Sequence, residues 1–214
     1  MKKILRIANI LAIFGTAWMA IIIIMIRVSP EFVRSFGSRG PMLTVLAMTE
    51  IVFAFSLLFF FTLLHVHNVN NNSTITSFNA TLSALIAMSW MSVIAVLHRF
   101  PAVWRWVATR GSGLIVSLTQ VIFTIPLLLF FILFSMASNR RNTTLRLRVA
   151  STVAVTGTAW LLLVSASRVS PAVWMWLIEK GAGRVMIITE PLVAISFLIF
   201  LAAFFVEHDV QSTG

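Results

Sequence analysis

The sequence predicts an all-α integral membrane protein of six transmembrane helices, arranged as three tandem two-helix hairpin repeats with pseudo-three-fold symmetry. Three observations carry this expectation. First, the 214 residues are 59% apolar and only 10% charged, and mean hydropathy is +1.00. Soluble domains are about 25% charged, so this composition belongs in a bilayer. Second, six apolar runs, roughly 7–26, 42–64, 79–97, 114–137, 149–167 and 185–206, approach the ~20 residues a spanning helix needs. They do not alternate as barrel strands do. Third, one pattern is stated three times. Loop prolines Pro30, Pro101 and Pro171 are 71 and 70 residues apart, and Glu50, Gln120 and Glu190 are 70 and 70 apart. Recurrence at a fixed period marks a repeat architecture.

The repeats divide the chain at 1–67, 68–138 and 139–214, all within one membrane domain. In the third copy, Thr158-Ala159-Trp160 leads through apolar residues to Arg168-Val169-Ser170-Pro171-Ala172-Val173-Trp174-Met175-Trp176, then to Lys180-Gly181 and Thr189-Glu190. The second copy has Met88-Ser89-Trp90, Arg99-Phe100-Pro101-Ala102-Val103-Trp104-Arg105-Trp106, Arg110-Gly111 and Thr119-Gln120. The first has Thr16-Ala17-Trp18, Arg27-Val28-Ser29-Pro30, Arg39-Gly40 and Thr49-Glu50.

Residues 1–6 read as a basic anchor. The first run follows as a retained helix rather than a cleaved leader, because its Thr16-Ala17-Trp18 recurs in the later copies. In the loop inside each repeat, serine or phenylalanine precedes proline and an aromatic-basic mixture, and a glycine follows. Proline at a first helical position and glycine just past the end predict a short interfacial helix. Residues 65–78 and 138–148 read as polar linkers, and the fourth run carries Pro126, where a kink is expected. A polar tail follows Val206.

The charge of +10 is not a nucleic-acid signal. The basic residues sit at the ends of the apolar runs, where they meet lipid phosphate. Arg27, Arg39, Arg99, Arg105, Arg110, Arg168 and Lys180 are the expected headgroup contacts. Nine Lys or Arg lie within the repeats' loops and seven on the opposite face. That near balance tips only slightly toward cytoplasmic intra-repeat loops. The expected partners are therefore membrane lipids, and in one reading other membrane subunits or further copies of the chain. Nothing in the sequence distinguishes one membrane from another.

With no cysteine there is no thiolate chemistry. No nucleotide loop or nucleophile set appears, so neither enzyme activity nor a cofactor is expected. His65, His67 and His208 could meet a metal only at the membrane edge. Solvated histidines are the more ordinary reading, because His65 and His67 point to different helix faces.

Depth singles out one layer. Trp18, Trp90 and Trp160 lie nine, nine and eight residues before Arg27, Arg99 and Arg168, or about 12–14 Å inside the bilayer. Glu50, Gln120 and Glu190 lie ten, nine and nine residues past Gly40, Gly111 and Gly181, at about 13–15 Å. An aromatic belt does not explain tryptophan at that depth. A charged carboxylate there costs several kcal/mol and normally faces a bundle interior or a wet cavity. Two readings follow. In one, Glu50 and Glu190, with Gln120 as neutral third member, bind a proton or cation on a central path in a small transporter or channel, and the tryptophans face an organic cation. In the other, each indole N–H donates to the Glu or Gln of its own hairpin, and the protein is a non-catalytic membrane subunit or scaffold that docks proteins or lipids.

Overall fold

The computed structural model describes residues 2–28, 41–71, 73–97, 99–100, 102–103, 106, 112–140, 143–181 and 189–213. Among them are seven helices: α1 (Lys2–Val28), α2 (Pro41–Asn70), α3 (Ile75–Leu97), α4 (Ser112–Arg140), α5 (Leu145–Val169), α6 (Pro171–Glu179) and α7 (Thr189–Thr213). Five contain segments long and apolar enough to cross a membrane: Lys3–Met25, Met48–Asn70, Ile75–Leu97, Ser117–Asn139 and Leu145–Val169. Within α7 the apolar segment is the shorter Pro191–Glu207. These helices mark a multi-pass membrane protein.

Their surfaces agree. Phe14, Ile86, Leu129 and Leu163 are large, apolar and exposed. A helix that is apolar on both its packed and its outward faces suits lipid rather than water.

The helices run past the apolar stretches that announced them. α2 ends at Asn70, three residues beyond the expected repeat boundary at 67, and α4 ends at Arg140, two beyond 138. Hydropathy reports what the bilayer covers, whereas backbone hydrogen bonding continues into the polar ends. The linkers shrink accordingly to 71–74 and 141–144. At the first, the Asn71 and Ser73 amides bond to the carbonyls of His67 and Asn68, and the Thr74 hydroxyl accepts from the Ser77 amide at 3.4 Å. Thr74 thus caps α3, a side-chain oxygen satisfying an orphan amide. α4 runs as one helix through Pro126.

Neighbouring helices form a closed ring in the order α1, α2, α3, α4, α5, α7 and back to α1, while α6 packs on α5. In α1, α3 and α5, small residues one turn apart are buried: Ala8 and Ala12, Ala80 and Ala84, Ala150 and Ala154. Without a hydrophobic drive between helices in lipid, small residues let backbones approach and pack. Where approach is closest, glycine is required. A Cβ on Gly15 would stand 2.3 Å from Ser56 Oγ, and one on Gly157 would stand 2.6 Å from Ser196 Oγ.

The ring's centre is aromatic. Phe60 and Phe61 of α2, Phe130 and Phe131 of α4, and Phe200 of α7 are fully buried. Rings meet edge to face between all three helices: Phe61 and Phe130 at 4.9 Å, Phe131 and Phe200 at 5.0 Å, Phe60 and Phe204 at 5.4 Å. Each such pair contributes about 0.5–1.5 kcal/mol beyond the area it buries. α2, α4 and α7 thus each reach the centre of the ring through phenylalanine.

After α5 the chain turns at Ser170, which has extended backbone and no side-chain cap bond. Pro171 opens α6 and Lys180 closes it. Gly181 follows at φ +80°, the left-handed conformation that a glycine past a helix end supplies. The short helix predicted after the third loop proline is therefore present. Its counterparts at residues 30–40 lie outside the described residues, and those at 101–111 are described only in fragments.

Candidate functional site

Trp18, Trp90 and Trp160 each bond to the helix that follows their own, but not to the residues the sequence suggested. Trp18 Nε1 donates to Thr49 Oγ1 at 3.2 Å, and Trp160 Nε1 donates to Thr189 Oγ1 at 3.0 Å. In the middle hairpin, Trp90 Nε1 donates to the Thr119 carbonyl at 3.2 Å. The expected acceptors, Glu50, Gln120 and Glu190, are displaced by the threonine that precedes each of them. The reason is helical phase. Neighbouring residues differ by about 100° around the axis, so if the threonine faces the partner helix the next residue cannot. In the middle hairpin the indole reaches the backbone carbonyl of Thr119, whose hydroxyl donates to the Ile115 carbonyl at 2.7 Å.

Gln120 looks elsewhere, into the seam between hairpins. Its Oε1 accepts from Ser165 Oγ of α5 at 3.4 Å. Ser165 stands five residues after Trp160, and the same offset gives Ala95 after Trp90 and Ile23 after Trp18. Only the third copy therefore offers a hydroxyl at that register. Glu50 is half-buried on α2. Glu190 lies in the first described turn of α7, and its side chain lies outside the described residues.

Trp18 is 43% exposed, Trp90 and Trp160 are half-buried, and each is bound within its own hairpin. The axis on the far side of this layer belongs to phenylalanine. Phe60, Phe130 and Phe200 follow Glu50, Gln120 and Glu190 by ten residues each, about 15 Å along the helix. Between the two levels lie the close approaches of Gly15 to Ser56 and Gly157 to Ser196.

At the opposite membrane edge, His65 Nδ1 pairs with Thr81 Oγ1 at 2.8 Å, and its ring lies 4.9 Å from that of Phe78. His67 pairs with the Asn71 amide at 3.0 Å. Among the described residues no cluster of three His, Asp or Glu could hold a metal, and the side chain of His208 lies outside them. Nearby, the Thr144 hydroxyl donates to Glu207 Oε2 at 2.5 Å, tying the end of α7 to the start of α5.

Of the expected headgroup contacts, Arg99 and Lys180 are exposed, and Arg168 is half-buried with its guanidinium 4.9 Å from the centre of the Trp174 ring. Arg39, Arg105, Arg110 and the side chain of Arg27 lie outside the described residues.

Sequence reasoning passed over Thr49, Thr119 and Thr189 as acceptors, and over Phe60, Phe130 and Phe200 as the core. Both sets recur at the 70-residue period, so the signal that picked out Glu50, Gln120 and Glu190 was present for them too. No family model, curated protein or solved structure matches the chain.

Proposed function

We propose that the chain forms six membrane spans in three parallel hairpins about a pseudo-three-fold axis, and that it is a small transporter or channel for protons or cations. Support for the architecture comes from the 70-residue recurrence, the six helices of 23 or more residues and the closed ring of neighbours. Repeats with an even number of helices share one orientation. In this arrangement α7 is the sixth span.

One observation carries the functional reading. The indole N–H groups are bound by threonine or backbone at Thr49, Thr119 and Thr189. The indole bonds are thus made to the threonine step rather than to the acidic or amide residue after it. Two carboxylates at matched mid-depth positions are costly in a bilayer, and a proton or cation offsets that cost. Glu50 and Glu190 carry the charge, Gln120 is the neutral member held toward Ser165, and Trp18, Trp90 and Trp160 set the depth of the layer. The phenylalanines at the axis form a hydrophobic constriction on the far half of the path, of the kind that gates by excluding water.

The test is the double substitution Glu50→Gln with Glu190→Gln, which makes all three copies resemble the second. Reconstituted in vesicles, the unaltered protein moves protons, alkali ions or organic cations, and the double variant folds and inserts normally but loses that flux. Equal flux in both proteins, or none in either, overturns this reading. A second reading has its own support: the buried aromatic centre suits a non-catalytic subunit or scaffold that docks proteins or lipids. Loss of folded protein in the double variant would favour it.

A further inference from the structure

α6 has no buried residue. Val173, Met175, Trp176 and Ile178 are all exposed on its nine residues, and it leans chiefly on α5. Nine residues span about 13 Å, too short to cross a bilayer. An apolar helix at the end of a span, covered by none of the described residues of its own chain, suits the lipid interface.

The elbow before it is more specific. Arg168 occupies the last turn of α5, where the helix dipole favours a cation. Its guanidinium lies over the Trp174 ring, one turn into α6. Stacking satisfies the face of the group but not the N–H donors along its edge. Arg168 Nε is buried and has no hydrogen-bond partner among the described residues, and a buried donor left that way needs an acceptor from elsewhere. The acidic residue of α6, Glu179, stands at the opposite end of the helix, eleven residues on from Arg168.

We propose that the elbow between α5 and α6 binds the phosphate of an anionic membrane phospholipid, with Arg168 as the ligand-binding cation, Trp174 as its platform and the exposed face of α6 seated among the acyl chains. Phosphate fits because it presents paired acceptor oxygens to a planar fork of donors. A lipid, rather than a soluble phosphate, fits because the surface beside the cation is apolar. This proposal is independent of the transport reading, since it concerns binding at the loop face and needs no flux.

The experiment titrates the full chain in nonionic detergent with phosphatidylglycerol or phosphatidylcholine and counts bound lipid by native mass spectrometry. The unaltered protein prefers phosphatidylglycerol, and Arg168→Gln reduces that affinity about tenfold, the scale of one charge-assisted hydrogen bond. Arg168→Lys keeps the charge but not the fork, and Trp174→Leu removes the platform. Each lowers the preference in part and keeps the proposal testable should Arg168→Gln fold poorly. Arg146→Gln, an exposed cation at the opposite end of α5, leaves the preference in place. Full preference retained without Arg168 overturns the proposal. So does an equal loss in Arg146→Gln, which would indicate diffuse charge, or full competition by millimolar inorganic phosphate, which would indicate a free-anion site.

Discussion

Gly15→Ala tests the packing of the first hairpin at its closest point. The added Cβ would stand 2.3 Å from Ser56 Oγ, 3.2 Å from Ser56 Cβ and 3.4 Å from the Val52 carbonyl oxygen. Only the first contact is prohibitive, and it involves an atom that donates to the Phe53 carbonyl at 2.9 Å. Alanine gains about 0.8–1 kcal/mol over glycine in helix propensity. Overpacking a well-filled seam costs about 1–3 kcal/mol. The expected net effect is a loss of up to about 2 kcal/mol. Removing the hydroxyl with Ser56→Ala leaves the new Cβ at 3.2 Å, tight but adjustable, so the double variant recovers most of the loss. In the third hairpin, the Cβ of Gly157→Ala stands 2.6 Å from Ser196 Oγ and 3.0 Å from its Cβ. Serine removal therefore rescues that hairpin less. The middle hairpin has Ala87 and Pro126 at the corresponding registers, offset by 72 from Gly15 and 70 from Ser56, so it lacks both the glycine and the serine of the pair. Unfolding by denaturing detergent, read by circular dichroism for the four members of each cycle, yields a coupling energy. A value above about 0.5 kcal/mol signals direct contact. No coupling between Gly15→Ala and Ser56→Ala refutes the reasoning.

Two further substitutions follow from the same seams. Trp160→Phe removes the donor to Thr189 and should cost about 0.6–2 kcal/mol, the range for one interhelical hydrogen bond in a membrane protein. Thr189→Val should cost a similar amount without adding to it, while Trp90→Phe should be insensitive to Thr119→Val because that indole binds a carbonyl; the same detergent unfolding reads all of them. Phe130→Ala opens the centre of the bundle, with an expected loss of about 3–5 kcal/mol from a fully packed phenylalanine. If the aromatic centre is the constriction, folded Phe130→Ala protein in vesicles should also leak ions faster than the unaltered chain, and unchanged leak would remove the gating role.

Much of this structure is legible in the sequence because its physics is periodic. Apolar length announces the spans, and the 70-residue recurrence pairs each Trp with a Thr-Glu or Thr-Gln step. What periodicity cannot supply is rotation about a helix axis. Thr49 and Glu50 are adjacent and equally deep, and only their angular difference decides which one meets Trp18. The same limit hid the core. Phe59, Phe60 and Phe61 are consecutive, yet Phe60 and Phe61 are fully buried while Phe59 is 43% exposed. In a soluble helix, polarity would separate the inward from the outward face. Here both faces are apolar, and the distinction appears only once neighbouring helices are in place.

That angular difference also separates the structural role of the threonine from the chemical role proposed for the residue after it. Threonine suits the structural one. Its hydroxyl can accept from an indole while spending its own proton on a carbonyl one turn back, and neither bond carries charge. The buried hydroxyls of Thr16 and Thr158 show the second half of that habit, each donating at 2.7 Å to the carbonyl four residues earlier. A carboxylate adds nothing to such a seam except a charge that is expensive to keep in lipid. Gln120 fits this division, since an amide accepts from Ser165 as well as a carboxylate would and without the charge. The contrast between Gln120 and its two acidic counterparts is therefore one of charge at matched sequence positions, with the indole bonds made by other residues in all three copies. The exchange of both glutamates for glutamine isolates that variable, which is why flux and fold are expected to separate in that variant.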